Sequence, residues 1–105
     1  MLFGTLVGAI IVLAALIFMW KPPKKINGLY GYRTPSSMKN QKTWDIANSY
    51  APKAMLVAGL ITLATGLVLD LTAKEETAVL WTCVVMTIAL IGSIVATERH
   101  LKKRL

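Results

Sequence analysis

The run from Leu2 to Trp20, LFGTLVGAIIVLAALIFMW, contains no charged side chain. At about 1.5 Å of rise per residue it makes a helix of roughly 30 Å, the thickness of the hydrocarbon core of a bilayer. Two further runs share the property, Ala54 to Leu69 and Thr77 to Thr97. The second, roughly 24 Å as a helix, reaches full length only by extension through Tyr50-Ala51-Pro52-Lys53, with the lysine stem snorkelling back to the headgroups. None of the runs carries the polar face that a core helix of a soluble domain shows. Only helices and closed barrels satisfy their backbone in lipid. The expectation is an all-α membrane protein with three transmembrane helices, at about residues 2–20, 51–70 and 77–97, in a single membrane domain covering 1–105. The first run is expected to stay as a true span. Met1-Leu2-Phe3-Gly4-Thr5 lacks the basic start of a signal peptide, and the run ends in Trp20-Lys21-Pro22-Pro23 rather than a small-residue cleavage site.

Charge orients these spans. Lys21, Lys24, Lys25, Arg33, Lys39, Lys42 and Lys53 stand against Asp45 alone between the first two spans. Arg99, Lys102, Lys103 and Arg104 stand against Glu98 in the tail, whereas Asp70, Glu75 and Glu76 outnumber Lys74 in the short second connection. The positive-inside rule then expects a multi-pass protein of the bacterial cell membrane, with the long loop 21–50 and the C-terminus cytoplasmic and the N-terminus outside. The net charge of +7 is a topology signal first, with attraction to anionic lipid headgroups at the cytoplasmic face second. Nucleic acid is not expected as a partner, because the basic residues cluster beside spans.

Several function classes are disfavoured. Proton-coupled transport needs an ionisable group inside the bilayer, and the three runs hold none. Small multidrug transporters are expected to have four spans and an embedded carboxylate. A single Cys83 in mid-span reads as a packing residue, His100 in the basic tail as a solvated one, and no metal set, cofactor or nucleophile–base pair can be assembled. Gly4 with Gly8, Gly59 with Gly66, and the stripe Ala89, Gly92, Ser93 and Ala96 read as close-packing faces. They serve packing within the chain or a homo-oligomer. Thr62, Thr65, Thr82 and Thr87 are expected to bond their own i−4 carbonyls.

The long loop is richer than a connector requires. Lys21-Pro22-Pro23-Lys24-Lys25 breaks the first helix. Asn27-Gly28 and Gly31 suit turns, while Tyr30, Tyr32 and Trp44 have the chemistry of membrane-interface residues. Ser36 or Ser37 serves as an N-cap for a helix over Met38–Ser49, whose Trp44, Ala47 and Ala51 recur on one side. The spacing predicts a cytoplasmic juxtamembrane amphipathic helix between the first and second spans, along the headgroups or as a prelude to the second span, with Pro52 at the bend or in the span's first turn. Asn27 and Asn48 are placed to bridge the two ends of the loop. Arg33, set among glycines and aromatics away from the lysine-rich edges, is the candidate for binding a phosphate or carboxylate, or for a tie to helix-terminal carbonyls.

The pattern Asn27-x-x-Tyr30-Gly31-Tyr32-Arg33-Thr34-Pro35, a Ser/Thr after it, and then Trp44-x-x-x-Asn48 ahead of an apolar helix resembles the SdpI family of bacterial membrane proteins. That family is named for an immunity protein against a secreted peptide toxin. The resemblance implies a short form without the additional N-terminal spans of the named member, and a non-enzymatic role in resistance to a membrane-active peptide toxin. The motif residues are then the candidate site and the toxin a candidate partner. The alternative is a lipid-headgroup or phosphate-binding accessory subunit centred on Arg33. An enzyme acting on lipid is a third class, and a toxin-challenge assay separates the first from both others.

Overall fold

The computed structural model describes residues 2–104. The chain forms three helices, α1 (Phe3–Trp20), α2 (Gln41–Thr72) and α3 (Glu75–Arg104), with no strand among the described residues. All three are long and apolar enough to cross a membrane. The protein is an all-α membrane protein. α2 is central: α1 packs along it on one side and α3 on another, while α1 and α3 barely touch. The bundle is 47 Å long, well beyond a hydrocarbon core of about 30 Å, so α2 and α3 carry their polar ends past the apolar zone.

Glycine sets how closely α1 and α2 approach. A Cβ on Gly4 would stand 2.5 Å from the Gly66 Cα and 2.7 Å from the Thr82 hydroxyl, and one on Gly59 would stand 3.0 Å from the Val12 nitrogen. The glycine pairs therefore serve packing inside the chain, where lipid offers no hydrophobic drive and contact must come from close backbones. Thr62 and Thr87 bond the carbonyls of Ala58 and Cys83, at 2.9 and 2.8 Å. The hydroxyl of Thr82 departs from the expected i−4 bond and is buried without a partner, because it is turned toward Gly4.

The start of α1 has no side-chain cap of its own, since Leu2 stands at the N-cap position. Asp70, near the end of α2, supplies one. Its carboxylate accepts from the Thr5 amide at 2.9 Å, the Thr5 hydroxyl at 2.8 Å and the Gly4 amide at 3.4 Å. Orphan amides at a helix start need such acceptors, and here the bond also ties two elements together. At the two ends of α3, Glu75 and Glu76 lie in the first turn and Lys102, Lys103 and Arg104 in the last, each complementing the helix dipole.

Of the two arrangements expected for the helix over Met38–Ser49, along the headgroups or as a prelude to the second span, the chain takes the second, with a later start. The chain makes one 32-residue helix that begins at Gln41 and runs on through Pro52. Its N-cap is Asn40, not Ser36 or Ser37. The Asn40 side chain accepts from the Thr43 amide at 2.9 Å, and the Thr43 hydroxyl accepts from the Asn40 amide at 3.2 Å, a reciprocal capping box. Trp44, Ala47 and Ala51 are buried against the loop and not laid along headgroups. Pro52 withholds an N–H from the preceding turn, yet it too is buried and the helix does not end there.

Candidate functional site

Residues 21–40 return from the end of α1 and fold against the first turns of α2. Side chains hold this path more than repetitive backbone pairing does. Trp44, with no exposed surface, donates its indole N–H to the Pro23 carbonyl at 2.9 Å. Asn48 pairs with the backbone of Tyr32 as a neighbouring strand would: its Oδ1 accepts from the Tyr32 amide at 2.6 Å, and its Nδ2 donates to the Tyr32 carbonyl at 3.2 Å. The same Nδ2 donates to the Trp44 carbonyl at 3.0 Å, so both amide hydrogens are used.

Gly31 sits where these pieces meet, at φ +110°, a conformation that L side chains rarely adopt. A Cβ there would also stand 2.6 Å from Pro23 and 2.7 Å from the Asn48 Oδ1. Pro23, Gly31, Tyr32, Trp44 and Asn48 thus form one packed junction.

The rest of the motif arranges the loop locally. Asn27 accepts from the amides of Leu29 and Tyr30, at 2.9 and 2.7 Å, and donates to the Lys25 carbonyl at 3.0 Å. It makes a turn of its own and does not bridge to Asn48. The Tyr30 hydroxyl donates to the Lys21 carbonyl at 2.6 Å, and its ring leans on Phe18 with centroids 5.6 Å apart. Thr34 and Ser37 exchange amide-to-hydroxyl bonds of 2.9 and 3.2 Å, and the Ser37 hydroxyl also reaches the Tyr32 carbonyl at 3.0 Å. Pro35 is exposed. Arg33 donates to the Gly28 carbonyl, which is inside the loop and not at a helix terminus, and remains exposed.

Tyr32 also reaches α3. Its phenol lies 3.3 Å from the Ile94 carbonyl, to which it donates. Burial first, and then the Glu98 carboxylate, push the phenol up to about 12 from its ordinary 10.0, with Thr34 pulling the other way. One carboxylate oxygen of Glu98 is buried without a hydrogen-bond partner.

The nine motif residues therefore divide. Gly31, Tyr32, Trp44 and Asn48 come together at the junction, Asn27, Tyr30 and Thr34 brace the turns, and Arg33 and Pro35 face outward. The sequence reading passed over Pro23 as a helix breaker, although it is the acceptor for Trp44 and the wall beside Gly31. It also missed Ser37, Asn40 and Thr43 as a relay of hydroxyl and amide bonds, in which the Thr43 hydroxyl donates to the Ser37 carbonyl at 3.0 Å. The spacing of Thr34 to Ser37 and of Asn40 to Thr43, three residues each, is the sequence signal for both.

A three-helix membrane bundle with a side-chain-braced loop between its first two spans defines the class. Residues 24–97 match the SdpI/YfhL protein family, and the chain belongs to it. Over 66 residues, 63% of this chain, it is 39% identical to the uncharacterized protein YfhL of Bacillus subtilis (strain 168). That match covers 60% of the relative's length. No solved structure matches the chain.

Proposed function

We propose that this chain is a non-enzymatic protein that protects a bacterial membrane against a membrane-active peptide toxin, using the braced loop as its recognition surface. Membership of the SdpI/YfhL family supports the class of function. The observation that carries the role of the loop is the contrast between its rigid inner face and its outward side chains. Bonds from Asn27, Asn48 and Trp44 fix the backbone, while Leu29 is 93% exposed and Arg33, tied to the Gly28 carbonyl, stays exposed to solvent. An apolar side chain beside a guanidinium suits an amphipathic peptide, whose carboxylates a planar fork can hold bidentately.

Expression in a sensitive bacterium tests this. The chain is expected to raise survival under toxin challenge, and Arg33→Ala to abolish the protection at unchanged membrane insertion. Arg33→Lys rescues poorly, because an ammonium cannot reproduce the fork. Lys24→Ala and Lys42→Ala change little, each removing one diffuse surface charge. Equal protection by all four variants would return Arg33 to the ordinary topology-setting set.

A further inference from the structure

The face between α2 and α3 carries a second site, away from the motif loop. At the basic end of the bundle a cleft of about 480 Å³ lies between the two helices, with Lys53 of α2 and His100 and Arg104 of α3 among its walls. No acidic residue lines it among the described residues. Tyr50 and His100 stack face to face across it, centroids 4.2 Å apart and planes 11° from parallel, which fixes the two helices relative to each other at this level.

Tyr50 also lines a second groove, of about 330 Å³, which runs along the same two helices toward the middle of the spans. This groove is apolar, with Val57 and Ile61 on one side and Ala89, Gly92 and Ala96 on the other. A Cβ at Gly92 would meet nothing within 4 Å, so the small-residue stripe of α3 is not consumed by packing inside the chain. α3 is the least covered helix, with 11% of its apolar window buried against 22% for each of the others. A cationic pocket at the membrane edge and an apolar groove directed into the bilayer therefore meet at Tyr50.

We propose that this joined cleft and groove bind one anionic phospholipid, its phosphate between Lys53, His100 and Arg104 and one acyl chain along Gly92 and Ala89. Charge complementarity selects the headgroup, and continuity with the apolar groove selects a lipid over a free anion. Both spaces have the size of a small-ligand site. The site stands whether or not the chain confers toxin resistance.

The test uses the whole chain in detergent, given phosphatidylglycerol or phosphatidylcholine, with retained lipid counted by native mass spectrometry. Phosphatidylglycerol should be retained over phosphatidylcholine at one lipid per chain. Lys53→Gln and Arg104→Gln should each weaken retention by about fivefold, the worth of one basic residue at an anionic surface. Gly92→Leu should abolish it by filling the groove, and helical content by circular dichroism confirms that the variant folds. Three results would overturn the proposal: equal retention of the two lipids, displacement of the lipid by millimolar inorganic phosphate, or undiminished retention in Gly92→Leu. A wild-type dimer that Gly92→Leu converts to monomer with lipid retention unchanged would overturn it too, and assign the groove to a second copy.

Discussion

Tyr32 occupies two environments at once. Its backbone is gripped by Asn48, and its phenol is carried across to α3, where burial and the Glu98 carboxylate both disfavour the phenolate. The phenol pKa is raised in the folded protein to about 12, against 10.0 for an ordinary tyrosine. The neutral phenol is thus the form the fold accepts. Its contribution to stability is complete below about pH 10 and is lost as pH climbs through about 12. Subtracting the ultraviolet titration of Tyr32→Phe from that of the wild type in detergent should isolate a phenolate appearing near pH 12. Glu98→Gln should bring that step down only part of the way, because burial is the larger cause. A Tyr32 step at the ordinary value in the folded protein would mean that the phenol is not held against α3. The same titration reports whether Arg33→Ala leaves the loop folded, which separates a lost binding residue from a collapsed loop.

The first turns of α2 act as the brace for the loop, and Asn48 is the residue through which the bracing passes. It is 3% exposed and satisfies three backbone groups. Asn48→Ala leaves the Tyr32 amide without its acceptor and should lower stability by about 1–3 kcal/mol, read as an earlier thermal transition in detergent. Asn48→Asp should not rescue it. A carboxylate still accepts from the Tyr32 amide, but it turns oxygens toward the carbonyls of Tyr32 and Trp44, where Nδ2 had donated. This element also marks the limit of sequence reading. Three spans were legible because charge-free runs of that length have few other uses. The start of α2 was not, since Ser36, Ser37 and Asn40 are all good caps and only tertiary bonds show that Ser37 is already engaged with Thr34 and Tyr32. The depth of Trp44 was hidden for a similar reason. Its spacing with Ala47 and Ala51 reads alike for a helix lying on headgroups and for one facing a folded loop, and its partner Pro23 lies 21 residues away. Shape residues such as Gly31 were recognisable by type, whereas their neighbours were not.

At the scale of the whole molecule, the bonds between elements make the bundle a single lever for topology. The loop, the start of α2 and the end of α3 share one end, joined by Tyr32 to Ile94 and by the Tyr50–His100 stack. The start of α1 and the end of α2 share the other, joined by Asp70. Every basic residue except Lys74 lies at the first end, and Asp70, Glu75 and Glu76 gather around the second. Acting on that asymmetry, the positive-inside rule predicts a cytoplasmic first end, which labelling can test. A background with Cys83→Ala removes the native thiol, and single cysteines then replace Met38 and Glu75. Met38 is exposed, uncharged and outside the Asn40–Thr43 capping box, so its replacement disturbs neither charge nor cap. In intact cells an impermeant thiol reagent should label the Glu75 site and spare the Met38 site, and a C-terminal tag should resist external protease. The ties at each end forbid a mixed answer for one molecule. Labelling at Met38 with protection at Glu75 would invert the protein as a unit, and labelling at both would show two opposed populations. Either result would separate this bundle from the rule that its charges obey on paper.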